Sequence, residues 1–514
     1  MRCSSITLVA SLCGLACVTL AAQQAPSVVP KTWAPDKLAT LELPSVLTGK
    51  PTEHVSAEFY YSIPATTIYR TYPVYHPDHE PEGYLEDLRS REPERTFDAA
   101  GIRTEEDWQR AGAQVFAWPI AWSRVTEPSR ERMRGALLKI KPPITTDGVL
   151  PFRVYVVREK GRVEIGSLSC AQCHTRVMPD GSTIVGAQGN YPFDHFFAEG
   201  IENRPPTDVH ASAISLFGTP ETEGVAAPFP ADLTGPKLAA ALRAIPPGVM
   251  ARHGTSAYSP VQIPDLIGVE NRRYLDRTGL HRHRDIGDMM RYAALNQDLD
   301  RLGRWGTFQP ATAPLDVLPD DALPPDAPSK DEIRRQIQAP ENRFRYSDAH
   351  LYALAKFLYA LQPPKNHNPS DALSERGRKV FEAADCKRCH PAPHYTSNQL
   401  TPAEGFRVPA TLRKSDKIRR RGVGTDARLT TTTRRGTGFY KVPSLLGVWY
   451  RGPFSHDGSV ATLEDWFDPR RVDDDYVPTG WNPEGKPRAV PGHDFGLDLD
   501  AEERRALIAF LRTL

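Results

Sequence analysis

Cysteine is scarce in this chain: seven in 514 residues, at positions 3, 13, 17, 170, 173, 386 and 389. Three of them fall in the opening stretch MRCSSITLVASLCGLACVTLAAQQA, where one arginine precedes an apolar run from about Ile6 to Ala21 and small residues precede Gln23 and Gln24. That pattern reads as a secretory signal peptide over 1–21, cleaved near Ala21 or Ala22, with lipidation at Cys17 as the alternative. Cleavage leaves four cysteines, in two close pairs, and none for a disulfide or a catalytic thiol. No later apolar run is long enough to span a bilayer, so the mature chain is expected to be soluble, in the periplasm or secreted, with no membrane span. Charge of one sign is missing as well: a formal net charge of +1 gives no polyanion signal, and no nucleic-acid partner is expected. Methionine stops at Met290, and Trp305 is the only tryptophan between the two cysteine pairs.

Each remaining pair belongs to a Cys-x-x-Cys-His unit, CAQCH at 170–174 and CKRCH at 386–390. Two thiols at that spacing add across the vinyl groups of a porphyrin while the adjacent imidazole reaches the iron from the same turn of chain. A zinc ribbon also uses four cysteines, but these pairs lie far apart and each is followed by histidine. Two covalently bound haem c groups are therefore expected, on Cys170, Cys173 and His174 and on Cys386, Cys389 and His390, with His174 and His390 as proximal ligands. A bound calcium is a further candidate cofactor.

The opposite iron ligands decide function, because a haem closed on both faces mainly moves electrons, whereas an open face binds small oxidants. For the second haem, methionine is excluded from its own region; His394 is too close in sequence to reach round the ring, which leaves His493, in PGHDFGLDLD, ahead of His456, in PFSHDGSV. For the first haem the candidates are His195, the pair His281 and His283, and Met289 or Met290, and an open or weakly ligated iron beside Phe193, Phe196 or Phe197 is expected. Trp305 is the candidate electronic bridge between the haems. The basic run from Arg413 to Arg435 reads as a solvated loop, with partner docking or haem-propionate binding as alternatives.

Pro 48 and Gly 36 predict a loop-heavy chain with short helices and little sheet. The Pro- and Tyr-rich stretch 22–104 reads as an ordered but irregular extension, since Phe59, Tyr60, Tyr61, Tyr69, Tyr72 and Tyr75 favour burial. TEEDWQRAGAQVF (104–116) and LSERGRKVF (373–381) share a Gly-x-x-Val-Phe ending, with Thr104 and Ser374 placed to cap helices. SDAHLYALAKFLYAL (347–361) and DAEERRALIAFLRTL (500–514) share Ala-Leu-x-x-Phe-Leu-x-x-Leu, apolar at helical spacing. Start, haem motif and end thus recur, which predicts a mainly α fold of two tandem cytochrome c-like haem domains, 105–365 and 366–514. The first carries an insertion before Cys170. Connectors at 219–260 and 306–345 are expected to hold short helices such as PKLAAALRAI and SKDEIRRQI.

The segment KVPSLLGVWYRGPFSHDGSVATLEDWF (441–467) resembles the bacterial di-haem cytochrome c peroxidase superfamily. Together with YTSNQLTPAEGF, RRGTGFYKVPSL and GHDFGLDL, it is most similar to the rubber-oxygenase-like branch. The resemblance spans roughly 105–514. It implies a mostly helical fold in which the first haem takes peroxide or dioxygen and the second relays electrons; His493 would suit that branch as a sixth ligand. The chain departs from the peroxidases where they place a tryptophan, a glutamine and an acid over the peroxide: Leu275 and Met289 fall near the first two positions and no glutamate follows, leaving Asp285, Asp288 or the histidine pair as substitutes. The expected activity is that of a haem-dependent oxidoreductase, peroxidase-like or oxygenase-like. Its partners would be a small cytochrome or cupredoxin electron donor, or an apolar organic substrate. The competing class is a non-catalytic electron carrier, which would need six-coordinate iron at both haems.

Overall fold

The computed structural model describes residues 28–223, 225, 227–319, 323 and 327–514. The leader, its cleavage site and Cys17 lie outside the described residues. Six helices position the site: α1 (Glu105–Ala117), α2 (Cys170–Cys173), α3 (Ile286–Leu302), α4 (Asp348–Ala360), α5 (Ala372–Ala383) and α6 (Ala501–Arg512). Helix outweighs strand among the described residues, and no helix there is long and apolar enough to cross a membrane.

Two helix crossings repeat. Helix α1 packs on α4 and α5 packs on α6, and all four begin with a reciprocal capping box, Thr104 with Asp107, Ser347 with His350, Asp371 with Ser374, and Asp500 with Glu503. Ser374 is thus the inner member of its box rather than the cap: Asp371 takes the cap and the helix starts earlier than the sequence suggested. The helices approach so closely that a side chain at Gly112 would land on the Ala353 carbonyl, and one at Gly377 on the Ala506 carbonyl. One turn further on, Phe116 meets Phe357 and Phe381 meets Phe510, each pair with ring centroids 5.3 Å apart. The shared motifs are therefore the contact residues of one crossing used twice.

Sheet is more prominent than expected. Strands β1 (Thr71–Tyr75), β2 (Ala121–Arg124), β3 (Val149–Glu159) and β4 (Arg162–Ser167) form an antiparallel sheet in the order β1-β3-β4-β2. Gly161, at φ 81°, makes the turn between β3 and β4. One face buries Tyr72, Val74, Leu150, Tyr155, Val157 and Val163. This sheet fills the insertion before Cys170 and recruits a strand from the extension, which is less irregular than its proline content suggests. Elsewhere in the extension, Trp33 stacks on Tyr60 at 4.3 Å, and both enter a core that includes Met289, Met290 and Leu351.

Short pairings complete the frame: β5 (Val249–Met250) with β6 (Val261–Gln262), β7 (Tyr274–Leu275) with β8 (His281–Arg282), and β9 (Leu400–Pro402) with β10 (Phe439–Lys441). The two connector helices form at Gly235–Arg243 and Lys330–Gln338.

Candidate functional site

The second Cys-x-x-Cys-His unit opens on a cavity of about 1630 Å3, its solvent-open mouth included. Asp385 turns the chain at φ 58°, and the His390 N–H then donates to the Cys386 carbonyl at 2.9 Å, closing the turn that puts both thiols and the imidazole on one wall. His390 Nδ1 lies 3.0 Å from the Tyr395 carbonyl oxygen, which leaves Nε2 for a metal. Phe381, Val448, Leu463, Phe467, Leu507 and Leu511 supply apolar walls. His493 lines the same cavity, its ring centroid 6.3 Å from that of His390 and its Nδ1 buried without a hydrogen-bond partner. Burial lowers both imidazoles to about 4, so both are neutral with lone pairs to offer. An iron held between two imidazoles at metal–nitrogen distances of about 2.0–2.1 Å sets ring centroids about 6 Å apart, which is the spacing found here. His456 also lines the cavity, but it sits under the Tyr440 ring at 4.8 Å, with Nδ1 beside the Ser455 hydroxyl at 3.2 Å and Nε2 3.9 Å from both Asp426 and Asp457.

The first unit follows β4. Ser169 caps α2 by accepting from the Gln172 N–H at 3.2 Å, and the His174 N–H returns to the Cys170 carbonyl at 2.9 Å. His174 Nδ1 lies 3.0 Å from the Pro264 carbonyl oxygen, the same arrangement as at His390. Burial pushes the Cys170 thiol up to about 12 and His174 down to about 3. Beside His174 is a smaller cavity, about 550 Å3, with a different character. Met250, Arg252, Asp276, Tyr292, Asn296 and Arg435 line it. Of these six, sequence reasoning reached only Arg435, as the end of the basic run; Tyr292 and Asn296 stand one turn apart on α3, and the others come from separate segments.

Between the two cavities lies a cleft lined by four cations, Arg272, Arg277, Lys441 and Arg451, with Asp265 as its one carboxylate. Gln262 and Arg277 line both motif cavities. Arg277 Nε and Arg451 Nε are buried without partners. Burial, reinforced by neighbouring cations, lowers Arg277 to about 9 and holds Lys441 well below its ordinary value. Buried cations in such excess call for anions. The two carboxylates at a haem edge would supply them, and with the thiols, the facing imidazoles and the apolar walls they make the residues present a fit for haem. Among the described residues no cluster of three or more His, Cys, Asp or Glu side chains is placed to hold a metal ion, so calcium finds no such carboxylate site.

Most other candidates are placed elsewhere. His195 Nε2 lies 2.9 Å from the Ile245 carbonyl oxygen; its neighbour Asp194 is the one turned inward, accepting from the Ala251 N–H and raised well above the carboxylate range by burial. Asp285 is exposed and caps α3 through the Asp288 N–H. Asp288 is buried but saturated, taking Arg284 at 2.6 Å and Arg291 at 2.8 Å, and no lone pair is left for an oxidant. Trp305 is buried beneath the Arg434 guanidinium, 4.9 Å from its ring centroid, and lines neither motif cavity. His283 spans the Arg272 carbonyl and the Tyr359 hydroxyl, both at 2.6 Å. Met289 and Met290 are core, and Phe193, Phe196 and Phe197 pack in other clusters or under Arg153. Of the basic run, Arg419 lines the second cavity, while Arg434 and Arg435 are buried on Asp300 and Asp276. Its C-terminal end is therefore structural, not solvated.

His281 sits between two carboxylates, with Nδ1 2.9 Å from Asp276 and Nε2 3.0 Å from Glu42. Burial opposes its charge, yet the two carboxylates hold it up to about 9, while Glu42 and Asp276 are held low. The stability His281 contributes is fully present below its unfolded value of about 6.5 and is lost as pH rises through about 9. The carboxylates contribute above their unfolded values of about 4 and lose it in acid. Melting temperature should accordingly fall between pH 7 and 9.5 in the wild type, and His281→Gln should flatten that limb.

No protein-family model and no curated protein sequence matches the chain. Among solved structures, it is similar to a MauG-like protein associated with microbial copper homeostasis, at 19% identity and a TM-score of 0.21, over 32% of this chain and 56% of that one. It is also similar to Kuenenia stuttgartiensis hydrazine synthase in a xenon-pressurised crystal, at 15% identity and a TM-score of 0.29, over 66% of this chain and 98% of that one. Both likenesses are weak. The chain spans little more than half the length of the first of these proteins.

Proposed function

We propose that the chain is a di-haem c-type oxidoreductase in which the first site is the reaction centre and the second an electron relay. The observation that carries this reading is the contrast between the sites: His390 and His493 face each other at the spacing of a six-coordinate iron, whereas His174 adjoins a cavity lined by Arg252, Tyr292 and Asn296. When bound, each haem supplies a redox-active iron. The protein's own groups do the rest. The carbonyls of Pro264 and Tyr395 orient the two proximal imidazoles, and Arg252 and Arg435 offer positive charge where negative charge would gather on a small oxidant. Arg252, Asp276, Tyr292, Asn296 and Arg435 set charged and hydrogen-bonding groups among apolar side chains such as Val261, Ile263 and Leu429, and those groups suit a small polar oxidant such as peroxide. Gln262 and Arg277 are the side chains common to both cavities and the shortest candidates for coupling them.

A second reading rests on Met250, which lines the first cavity beside His174. A histidine–methionine pair there would close that iron too and leave an electron carrier. Low-temperature electron paramagnetic resonance of the oxidised protein separates the two. One high-spin signal that shifts on adding azide, beside one low-spin signal that does not, is the expected result. Two low-spin signals indifferent to azide, in both oxidised and half-reduced protein, would select the carrier.

A further inference from the structure

We propose that Tyr292, Asp276, His281, Glu42 and His54 form a proton path from the N-terminal segment into the cavity beside His174. The proposal rests on that cavity being the reaction centre. Its parts come from three places in the chain: Glu42 and His54 from the extension, Asp276 and His281 from the two sides of the β7–β8 turn, and Tyr292 from α3. Glu42 and His281 are brought together by a backbone bridge between the extension and β8. Asp276 is held at φ 64°, a left-handed conformation that aspartate tolerates better than most residues and that marks positions fixed by their surroundings.

Two hydrogen bonds and two close approaches link the side chains. The Tyr292 hydroxyl donates to Asp276 Oδ1 at 2.8 Å, Asp276 Oδ2 meets His281 Nδ1 at 2.9 Å, His281 Nε2 lies 3.0 Å from Glu42 Oε1, and His54 Nε2 is 3.4 Å from the same oxygen. The two contacts to Glu42 are close approaches without a formed hydrogen bond. At the inner end Tyr292 and Asp276 line the cavity with His174. At the far end His54 packs edge-on against Trp33, with both ring nitrogens buried. The other charged groups facing the path are Arg435, which donates to Asp276 at 2.8 Å, and Arg252, which shares the cavity with Tyr292. A buried array of imidazoles and carboxylates is costly as mere scaffolding, since well-packed apolar residues would serve as well. Alternating acids and bases that end on a hydroxyl in a reaction cavity suit proton delivery.

The transfer balances in protons alone. Tyr292 gives its phenolic proton to an anion in the cavity. Asp276 hands the proton of the His281 imidazolium to the phenolate, which leaves His281 neutral between Asp276 and Glu42. The array gives up one proton, the anion gains it, and no electron moves.

Cyanide binding to the oxidised holoenzyme tests the path in its reverse sense, because hydrogen cyanide must shed a proton as it binds ferric iron. Stopped-flow association rates at the first site would be measured from pH 5 to 10, in light and heavy water, for the wild type, Tyr292→Phe and Glu42→Gln. The path predicts a solvent isotope effect in the wild type, and in both variants a fall in rate of about tenfold or more with the isotope effect lost. Wild-type rates and isotope effects in both variants would overturn the path while leaving the reaction centre intact. Failure of the wild-type first site to take up cyanide would overturn the reaction-centre reading and the path with it. Haem content by the pyridine haemochrome assay confirms loading. Should Glu42→Gln fail to fold, Tyr292→Phe decides alone, since it removes one hydroxyl and no charge.

Discussion

His493→Ala is expected to abolish the low-spin ferric signal of the second site, replace it with a high-spin one, and open that site to added imidazole. The physical reason is local. The His493 backbone is pinned independently of its ring: its N–H donates to the Val423 carbonyl, its carbonyl accepts from Arg471 Nη2 at 2.8 Å, and Gly492 packs against Gly424. Deleting the imidazole should leave that frame standing and empty the position facing His390. The wall around it, Trp466 at 5.3 Å and Phe495 at 5.5 Å from the lost ring, is aromatic and offers no replacement ligand. Added imidazole should fill the gap and restore the low-spin signal. His456→Ala is the control, because Tyr440, Ser455 and the neighbouring carboxylates hold that side chain away from the facing position. It should leave the signal unchanged. A low-spin signal that survives His493→Ala and disappears with His456→Ala would reverse the assignment.

What could be read from residues alone follows from how local each signal is. The Cys-x-x-Cys-His units are contiguous and the end helices carry helical spacing, so both were legible. The choice of His493 over His456 was a weighing of loop positions; the structure puts both in one cavity, with the His493 ring 6.3 Å from that of His390. The sheet before Cys170 was missed although its signal is present: FRVYVV is dense in β-branched and aromatic residues, Lys160 and Gly161 make a turn, and VEIGS continues on the other side. Proline content, a loop signal for the chain as a whole, outweighed that local pattern. The first cavity was legible only at Arg435, the end of the basic run. Its wall gathers Arg252, Asp276 and Arg435 from separate segments with Tyr292 and Asn296 one turn apart on α3, a pattern no single motif announces. Asp285 and Asp288 were attractive in sequence because they are acids in the right stretch, but salt bridges and capping already occupy them.

Gly377→Ala should destabilise the protein even though alanine is the best helix former. In an exposed helix interior that exchange stabilises by about 0.5–1 kcal/mol. At Gly377, however, the added carbon would collide with the Ala506 carbonyl and sit 2.8 Å from the Phe510 Cβ, atoms of a backbone that cannot turn away as a long side chain could. Overpacking of this kind costs about 1–3 kcal/mol, enough to reverse the sign, and valine should cost more. The same reversal is expected at Gly112, where Ala353 and Phe357 stand in the corresponding places. Gly135→Ala supplies the reference: it lies within the helix Glu127–Ile140 with nothing within 4 Å of the added carbon, and should stabilise slightly. Denaturant unfolding of the three variants reads the signs directly. For Gly377 the effect should reach the site, because α5 and α6 carry Phe381, Leu507 and Leu511 to the wall of the second cavity. Spreading that crossing opens the wall, so the haem content of the second unit should fall together with stability. Gly377→Ala that melts like Gly135→Ala, with full haem content, would show that the crossing yields, and that the repeated glycine is not what sets the distance between the helices.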